Sequence, residues 1–154
     1  MKIAVVMDPI SNIDFKKDST LLLIYEAQKR NHDVFYIESN NLFFDGKEAC
    51  ALSSKIKVKM DRENWFSLED TNKIFLKDLD VVFMRQDPPF DMGYINNTYV
   101  LDSAEKGGVK IYNKPSALRN FNEKISILEY SKFCTETIIA VSYTHLTLPT
   151  IITV

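Results

Sequence analysis

Leu79 to Asp91, LDVVFMRQDPPFD, is the stretch whose reading decides the fold. Leu79 to Met84 is an apolar run with β-branched residues, the pattern of a strand buried inside a parallel sheet. It ends abruptly at Arg85. Pro88 and Pro89 follow, and neither can extend a helix or donate to a strand ladder, so they stop the strand and hold an extended turn. Arg85 is thereby placed at the carboxyl end of a central strand, the edge at which open α/β sheets bind ligands.

Upstream, Lys2 to Met7 reads as the first strand, ended by Asp8-Pro9. A polar loop, Ile10 to Asp18, lies at the same carboxyl edge. Asp18 or Ser19 can cap the helix that follows. That helix carries Leu21, Leu22, Ile24, Tyr25 and Ala27 on a broad apolar face and ends at Lys29, Arg30 and Asn31, where cations favour the dipole. Asp33 to Glu38, DVFYIE, is the second strand. Strand, helix and strand in this span make a right-handed, parallel βαβ unit. The first loop contains no GxGxxG, so it has no dinucleotide fingerprint.

Asn41 to Met60 changes character and reads as antiparallel strands turning at Asp45-Gly46. Lys55, Lys57 and Lys59 alternate with Ile56 and Val58, as in a half-solvated edge strand guarded against further pairing. A basic phosphate-binding strip is the functional alternative. Asp61 to Leu76 reads as a connecting segment whose Trp65, Phe66 and Phe75 plug into the core. After the central strand, Asp91 opens a helix to about Lys106, with Ile95, Thr98, Tyr99, Leu101 and Ala104 at its buried positions. Gly107-Gly108 ends it. Val109 to Tyr112 is a fourth parallel strand, Ser116 to Arg119 a short helix, Asn122 to about Lys132 a further helix, and Thr135 to Ala140 a last strand. The fold class is α/β, a three-layer domain on a parallel sheet with an antiparallel excursion.

Composition narrows the function. The 154 residues suit one domain with a sizeable core. A net charge of −2 provides no basic field for nucleic acid and no polybasic membrane patch. No run approaches the roughly 18 apolar residues of a membrane span, and the apolar start is too short for a signal-peptide core. A cytoplasmic address follows by default. Cys50 and Cys134 read as two free, inert thiols. His32 and His145 are isolated and form no metal-ligand cluster.

Two cations stand out chemically. A guanidinium at a strand's carboxyl edge, such as Arg85, can grip a carboxylate or phosphate through two parallel hydrogen bonds. The same spacing also fits an ion pair with Asp87 or Asp91. Lys124, on the first turn of a helix after a loop, can reach an anionic ligand near a positive helix terminus. An ordinary solvated lysine fits that position equally.

MRQDPPFD at 84–91, MDPISNI at 7–13 and NKPSALRNFNEK at 113–124 together closely resemble prokaryotic glutathione synthetase. The three motifs occur in the family's order and spacing, and the resemblance covers Met1 to about Ala140. It implies a Rossmann-like, pre-ATP-grasp substrate domain over residues 1–120 and the start of an ATP-grasp region over 121–140. It further implies that Arg85 binds γ-glutamylcysteine and the developing acyl phosphate. Ser11, Asn12 and Ile13 would lie over the peptide substrate, with Lys17 and Asp18 at the helix start, and Lys124 would contact ATP phosphate. Asp18 serves equally well as a plain helix cap, and Pro115 and Arg119 as architecture. Gln86 departs from the lysine expected there.

The family's enzyme is about twice this long and homo-oligomeric. It joins γ-glutamylcysteine to glycine with ATP and Mg²⁺, and its metal carboxylates and glycine-rich loop belong to a lobe missing from this sequence. The fragment alone is therefore expected to be inactive. Residues 141–154, VSYTHLTLPTIITV, resemble translated sequencing adapter and are expected to be a non-native tail; a terminal strand after Pro149 is the other reading. Two rival functions remain. One is the front domain of another ATP-grasp carboxylate–amine ligase, and the other is a stand-alone α/β small-molecule-binding module.

Overall fold

The computed structural model describes residues 1–121 and 125–138. Its chain divides into two units, Met1–Asn120 and Phe121–Val154. The first is built on a curled sheet in the order β3-β4-β2-β1-β7-β8, with β5 and β6 also paired to β4. Its strands are β1 (Lys2–Met7), β2 (Asp33–Glu38), β3 (Leu42–Asp45), β4 (Glu48–Val58), β5 (Phe66–Leu68), β6 (Asn72–Phe75), β7 (Val81–Met84) and β8 (Lys110–Tyr112). The helices are α1 (Ser19–Lys29), α2 (Met92–Lys106) and α3 (Pro115–Asn120).

The parallel half, β2-β1-β7-β8, matches the sequence expectation. Ile3 stands between Val34 and Val81, and Val6 between Ile37 and Met84. The pleat of β1 sends alternate residues to opposite faces. Val5 and Met7 join Leu21, Ile24, Val34 and Tyr36 in the core under α1. Ala4 and Val6 join Ile37, Val82, Met84, Leu101 and Ala104 in the core under α2. Helix, sheet and helix thus form three layers, the Rossmann-like arrangement.

Both long helices start and stop where local chemistry directs. The Asp18 carboxylate accepts the Thr20 and Leu21 amides at 2.6 and 3.1 Å. Asp91 accepts the Tyr94 amide at 2.9 Å. α1 closes with the amides of Asn31 and His32 donating to the carbonyls of Gln28 and Ala27. That reversal needs a left-handed residue, and Asn31 supplies it with φ 59°. Gly108, at φ 102°, does the same after α2.

Several expectations are corrected. β4 is not an edge strand. Cys50 and Ala51 pair with β3 on one side and with β6 on the other, and Lys55 pairs with Phe35 of β2. The lysine alternation nevertheless keeps Lys55 and Lys57 at the solvent, where they meet Asp33 at 2.6 Å and Glu69 at 3.8 Å. Asp61–Leu76 is more than a connector, because β5 and β6 lie within it and pair antiparallel to β4. Trp65 does pack as expected, against Phe15 and Phe66. Leu22 and Tyr99, expected inside, are both 54% exposed. Tyr94, Asn97 and Val100 turn inward instead. Cys50 and Cys134 are free.

In the second unit, taken by itself, Ile125–Phe133 is a 3-10 segment broken at Tyr130, with none of its residues buried. A helix was expected there. A 3-10 geometry suits a short segment that packing does not lengthen into an α-helix. Of the strand expected at Thr135–Ala140, residues 135–138 show no strand, and the remainder lies outside the described residues, as do Lys124, His145 and the 141–154 tail.

The two faces of the helices carry a prediction. Leu101→Ala, at a fully buried position, should cost about 2–5 kcal/mol. Leu22→Ala should change stability by less than about 0.5 kcal/mol. Urea unfolding of the two variants measures both, and equal losses would overturn the assignment of inward and outward faces.

Candidate functional site

β7 delivers Arg85 to the carboxyl edge. The Arg85 amide donates to the Val6 carbonyl at 2.7 Å, so the β1–β7 ladder runs one residue beyond the strand. The pleat places Arg85 on the α1 face, as it does Phe83. There Nε donates to Thr20 Oγ1 at 3.1 Å and a terminal nitrogen donates to Ser19 Oγ at 2.9 Å. Among the described residues no carboxylate lies within 4.0 Å of this guanidinium. The ion pairs with Asp87 or Asp91 therefore do not form. Asp91 caps α2, and the Asp87 amide donates to Asp8 Oδ2 at 3.1 Å.

A guanidinium has five donors, and two hydroxyls occupy only part of that set. Hydroxyls orient the group without neutralising it, so its full charge remains for an anion. The amino end of α1 lies beside it and adds a positive partial charge. Ser19, Leu23, Phe83, Arg85, Tyr112 and Asn113 line an open hollow of about 350 Å³. Phe83 and Tyr112 stack along one wall, ring centres 5.9 Å apart. Asn113 is turned toward the sheet, its amide nitrogen donating to the Met84 carbonyl at 3.3 Å.

The loop after β1 forms a second hollow. Ile10–Asn12 is a single 3-10 turn anchored by buried Ile10. Asn12, Ile13, Lys17 and Asp18 line a hollow of about 450 Å³ together with Asp8, Asp14 and Asp87. Ser11 does not line it, and its hydroxyl donates to Asn12 Oδ1 at 3.2 Å. Much of the acidity here is committed internally. Asp8 holds the Asp87 amide, Asp14 accepts the Lys16 amide at 2.9 Å, and Asp18 caps α1. Lys17 Nζ stands 4.0 Å from Asp14 in an exposed pair.

The sequence-predicted residues thus divide. Asn12, Ile13, Lys17 and Asp18 share one hollow, Arg85 belongs to the next, and the first residues of α1 stand between them. Sequence reasoning missed Ser19 and Thr20 as the partners of Arg85. The signal was available: two hydroxyl residues open a helix that a parallel βαβ unit lays beside the next strand's end. It also missed Tyr36, whose hydroxyl accepts the Ile10 amide at 3.1 Å. Gln86 points to the other face and accepts from Asn97, which also donates to the Ser39 carbonyl. Arg119 ties α3 to α2 through Thr98 Oγ1 at 2.8 Å and through Asp102.

A mixed α/β sheet with helices on both faces, whose parallel half ends at a carboxyl edge carrying Arg85, defines a Rossmann-like domain. The particular family follows from comparison. Residues 1–119 match the model of the prokaryotic glutathione synthetase N-terminal domain, and the chain belongs to that family. It is 44% identical over 142 residues to a glutathione synthetase of Wigglesworthia glossinidia brevipalpis, covering 92% of this chain and 45% of that protein. It is 42% identical over 139 residues to the glutathione synthetase of Escherichia coli K12, covering 90% and 44%. The Yersinia pestis glutathione synthetase is 39% identical over 146 residues, covering 95% and 46%. The chain therefore spans under half the length of these relatives.

The Asp18 geometry separates a cap from a ligand contact. Asp18→Ala should cost about 1 kcal/mol of stability. Asp18→Ser should restore most of it, because serine caps nearly as well. Thermal unfolding reads both, and a serine variant as unstable as the alanine one would refute the capping role.

Proposed function

We propose that this chain is the N-terminal, substrate-side part of a glutathione synthetase, an ATP-dependent carboxylate–amine ligase that joins γ-glutamylcysteine to glycine. The observation that carries the proposal is Arg85, a guanidinium at the carboxyl edge oriented by Ser19 and Thr20 and met by no carboxylate among the described residues. The family membership supports the identity of the substrates.

In the proposed reaction the cysteinyl carboxylate attacks the γ-phosphoryl of ATP, and ADP leaves. Glycine's amine then attacks the acyl phosphate, and phosphate leaves. Both the carboxylate and the acyl phosphate are anionic, so a fixed cation lowers the energy of the charge that builds between them. Arg85 is that cation in our reading. Asn12, Ile13 and Lys17 form the wall over the peptide, with Ser11 beside them and Asp18 holding the helix start. Lys124 is the proposed ATP-phosphate contact; it lies outside the described residues.

Mg²⁺ would supply positive charge against the phosphates when bound. The described residues offer no group of three His, Cys, Asp or Glu side chains able to hold a metal ion, so they do not fit that role. We propose that its ligands, and the rest of the ATP site, belong to the part of the family's length beyond this chain. We further propose a cytoplasmic, homo-oligomeric complete enzyme. Among the described residues no helix is long and apolar enough to cross a membrane.

The test is twofold. The 154-residue chain should bind γ-glutamylcysteine in calorimetry, and Arg85→Ala should weaken binding about 10- to 100-fold, the worth of hydrogen bonds to a charged group. Arg85→Lys should recover only part of the loss, because an ammonium cannot make the parallel pair. An Arg85→Ala chain that binds like the parent would sink the proposal. Separately, the chain alone should release no ADP in response to γ-glutamylcysteine and glycine together; release that depends on both would overturn its reading as an incomplete ligase.

A further inference from the structure

The loop from Asp8 to Asp18 has its own turn bonds: the Asn12 amide donates to the Pro9 carbonyl at 2.8 Å, and the Lys17 and Asp18 amides donate to the Asp14 carbonyl at 3.0 Å. Its first turn, Ile10–Asn12, has no side-chain cap. That turn is also held from below. Ile10 is buried against the α1 core, and its amide donates to Tyr36 Oη at 3.1 Å. The same hydroxyl donates to Glu38 Oε1 at 3.1 Å. Tyr36 and Glu38 are alternate residues of β2 on one face, so the sheet itself aims both at the loop. A phenol has one proton to give and lone pairs to receive. Here it uses both, with the carboxylate fixing which way the proton points and leaving the lone pair for Ile10.

We infer that Tyr36 is a positioning residue for the ligand loop: through the Ile10 amide it sets where Asn12 and Ile13 stand at the carboxyl edge. The inference rests on the reading that this loop meets γ-glutamylcysteine. Three further observations support it. Tyr36 is only 4% exposed, so water does not compete for its hydroxyl. Burial holds the phenol above its usual pKa and the Glu38 carboxylate adds to this against the opposing Ile10 bond, so the donor stays protonated. The Ile10 amide sits one residue before Ser11, which leaves little slack between the tether and the residues it would place.

Tyr36→Phe removes the hydroxyl while keeping the ring in the core. Two readouts on the 154-residue chain decide the matter, each taken well below the melting temperature of both proteins. Amide hydrogen exchange at Ile10 to Ile13 should quicken about tenfold on loss of the bond. Affinity for γ-glutamylcysteine should fall about threefold to tenfold. A purely structural tyrosine would lower the melting temperature and leave affinity unchanged. Glu38→Ala is the second variant, at a less buried position, and retains the acceptor for Ile10. It should quicken the same amides about threefold, and Glu38→Gln, which keeps an acceptor for the phenol, should restore the parent rate. Unchanged affinity in Tyr36→Phe overturns the inference, whatever the exchange shows. Should Tyr36→Phe fail to fold, unchanged exchange in Glu38→Ala overturns it. A parent chain that does not bind γ-glutamylcysteine overturns the proposed function itself.

Discussion

The two ladders of β1 are the constraint on which everything else depends. β1 is six residues long, pairs along one edge with β2 and along the other with β7, and supplies side chains to both cores. Its pleat allots Val5 and Met7 to α1 and Ala4 and Val6 to α2. A one-residue slip would exchange the two sets. The register of Val6 with Met84 also brings two strand ends to one height. That coincidence sets Asp8 against the Asp87 amide and Arg85 against the start of α1. The site is therefore a consequence of strand register before it is a matter of any side chain.

Charge at the carboxyl edge is arranged unevenly. The loop hollow holds several carboxylates, yet its strongest hydrogen bonds run to backbone amides, where they cap α1 and fasten the β7 turn. The arginine hollow has the opposite character. Its cation is oriented by neutral hydroxyls, which fix direction and leave the charge uncancelled. A half-buried arginine paired to a carboxylate, as Arg119 is to Asp102, is fitted to hold two helices together. Arg85 has hydroxyl partners and an open face instead, and the proposed ligand contact rests on that difference.

The parallel half of the fold was legible because its signals are local. DVFYIE and LDVVFM are β-rich runs, Asp18 and Asp91 are caps, and Gly107-Gly108 is a stop. β5 and β6 were not legible, since FSL and NKIF are too short and polar to show a period. Their strand geometry comes from long-range pairing with β4. The same pairing overrode the edge-strand reading of Lys55 and Lys57, whose alternation reports one solvated face and says nothing about neighbours in the sheet plane. Tyr99 was misjudged because its ring lies outside under the Arg119 guanidinium, 4.6 Å from its centre, and apolar spacing cannot distinguish that stacking from burial. At the site, Arg85 and the Asp18 cap were readable one residue at a time. The hydroxyl clamp and the Tyr36 tether join residues 26 to 66 apart, and no local pattern announces them.

The order of the strands has a consequence for how the chain is made. β1 emerges first, but its second ladder partner begins at Val81, and Lys2 meets Asp80 across 78 residues. Throughout synthesis of the intervening segment one edge of this apolar strand stays open. Open apolar edges invite pairing with other chains. Lys2 places one charge at the start of that strand. Contacts of such separation carry a large loop-closure cost and slow the rate-limiting step. The carboxyl edge, which needs β7 in place, is thus assembled late, after the βαβ unit that carries its loop already has both strands and α1 available to fold.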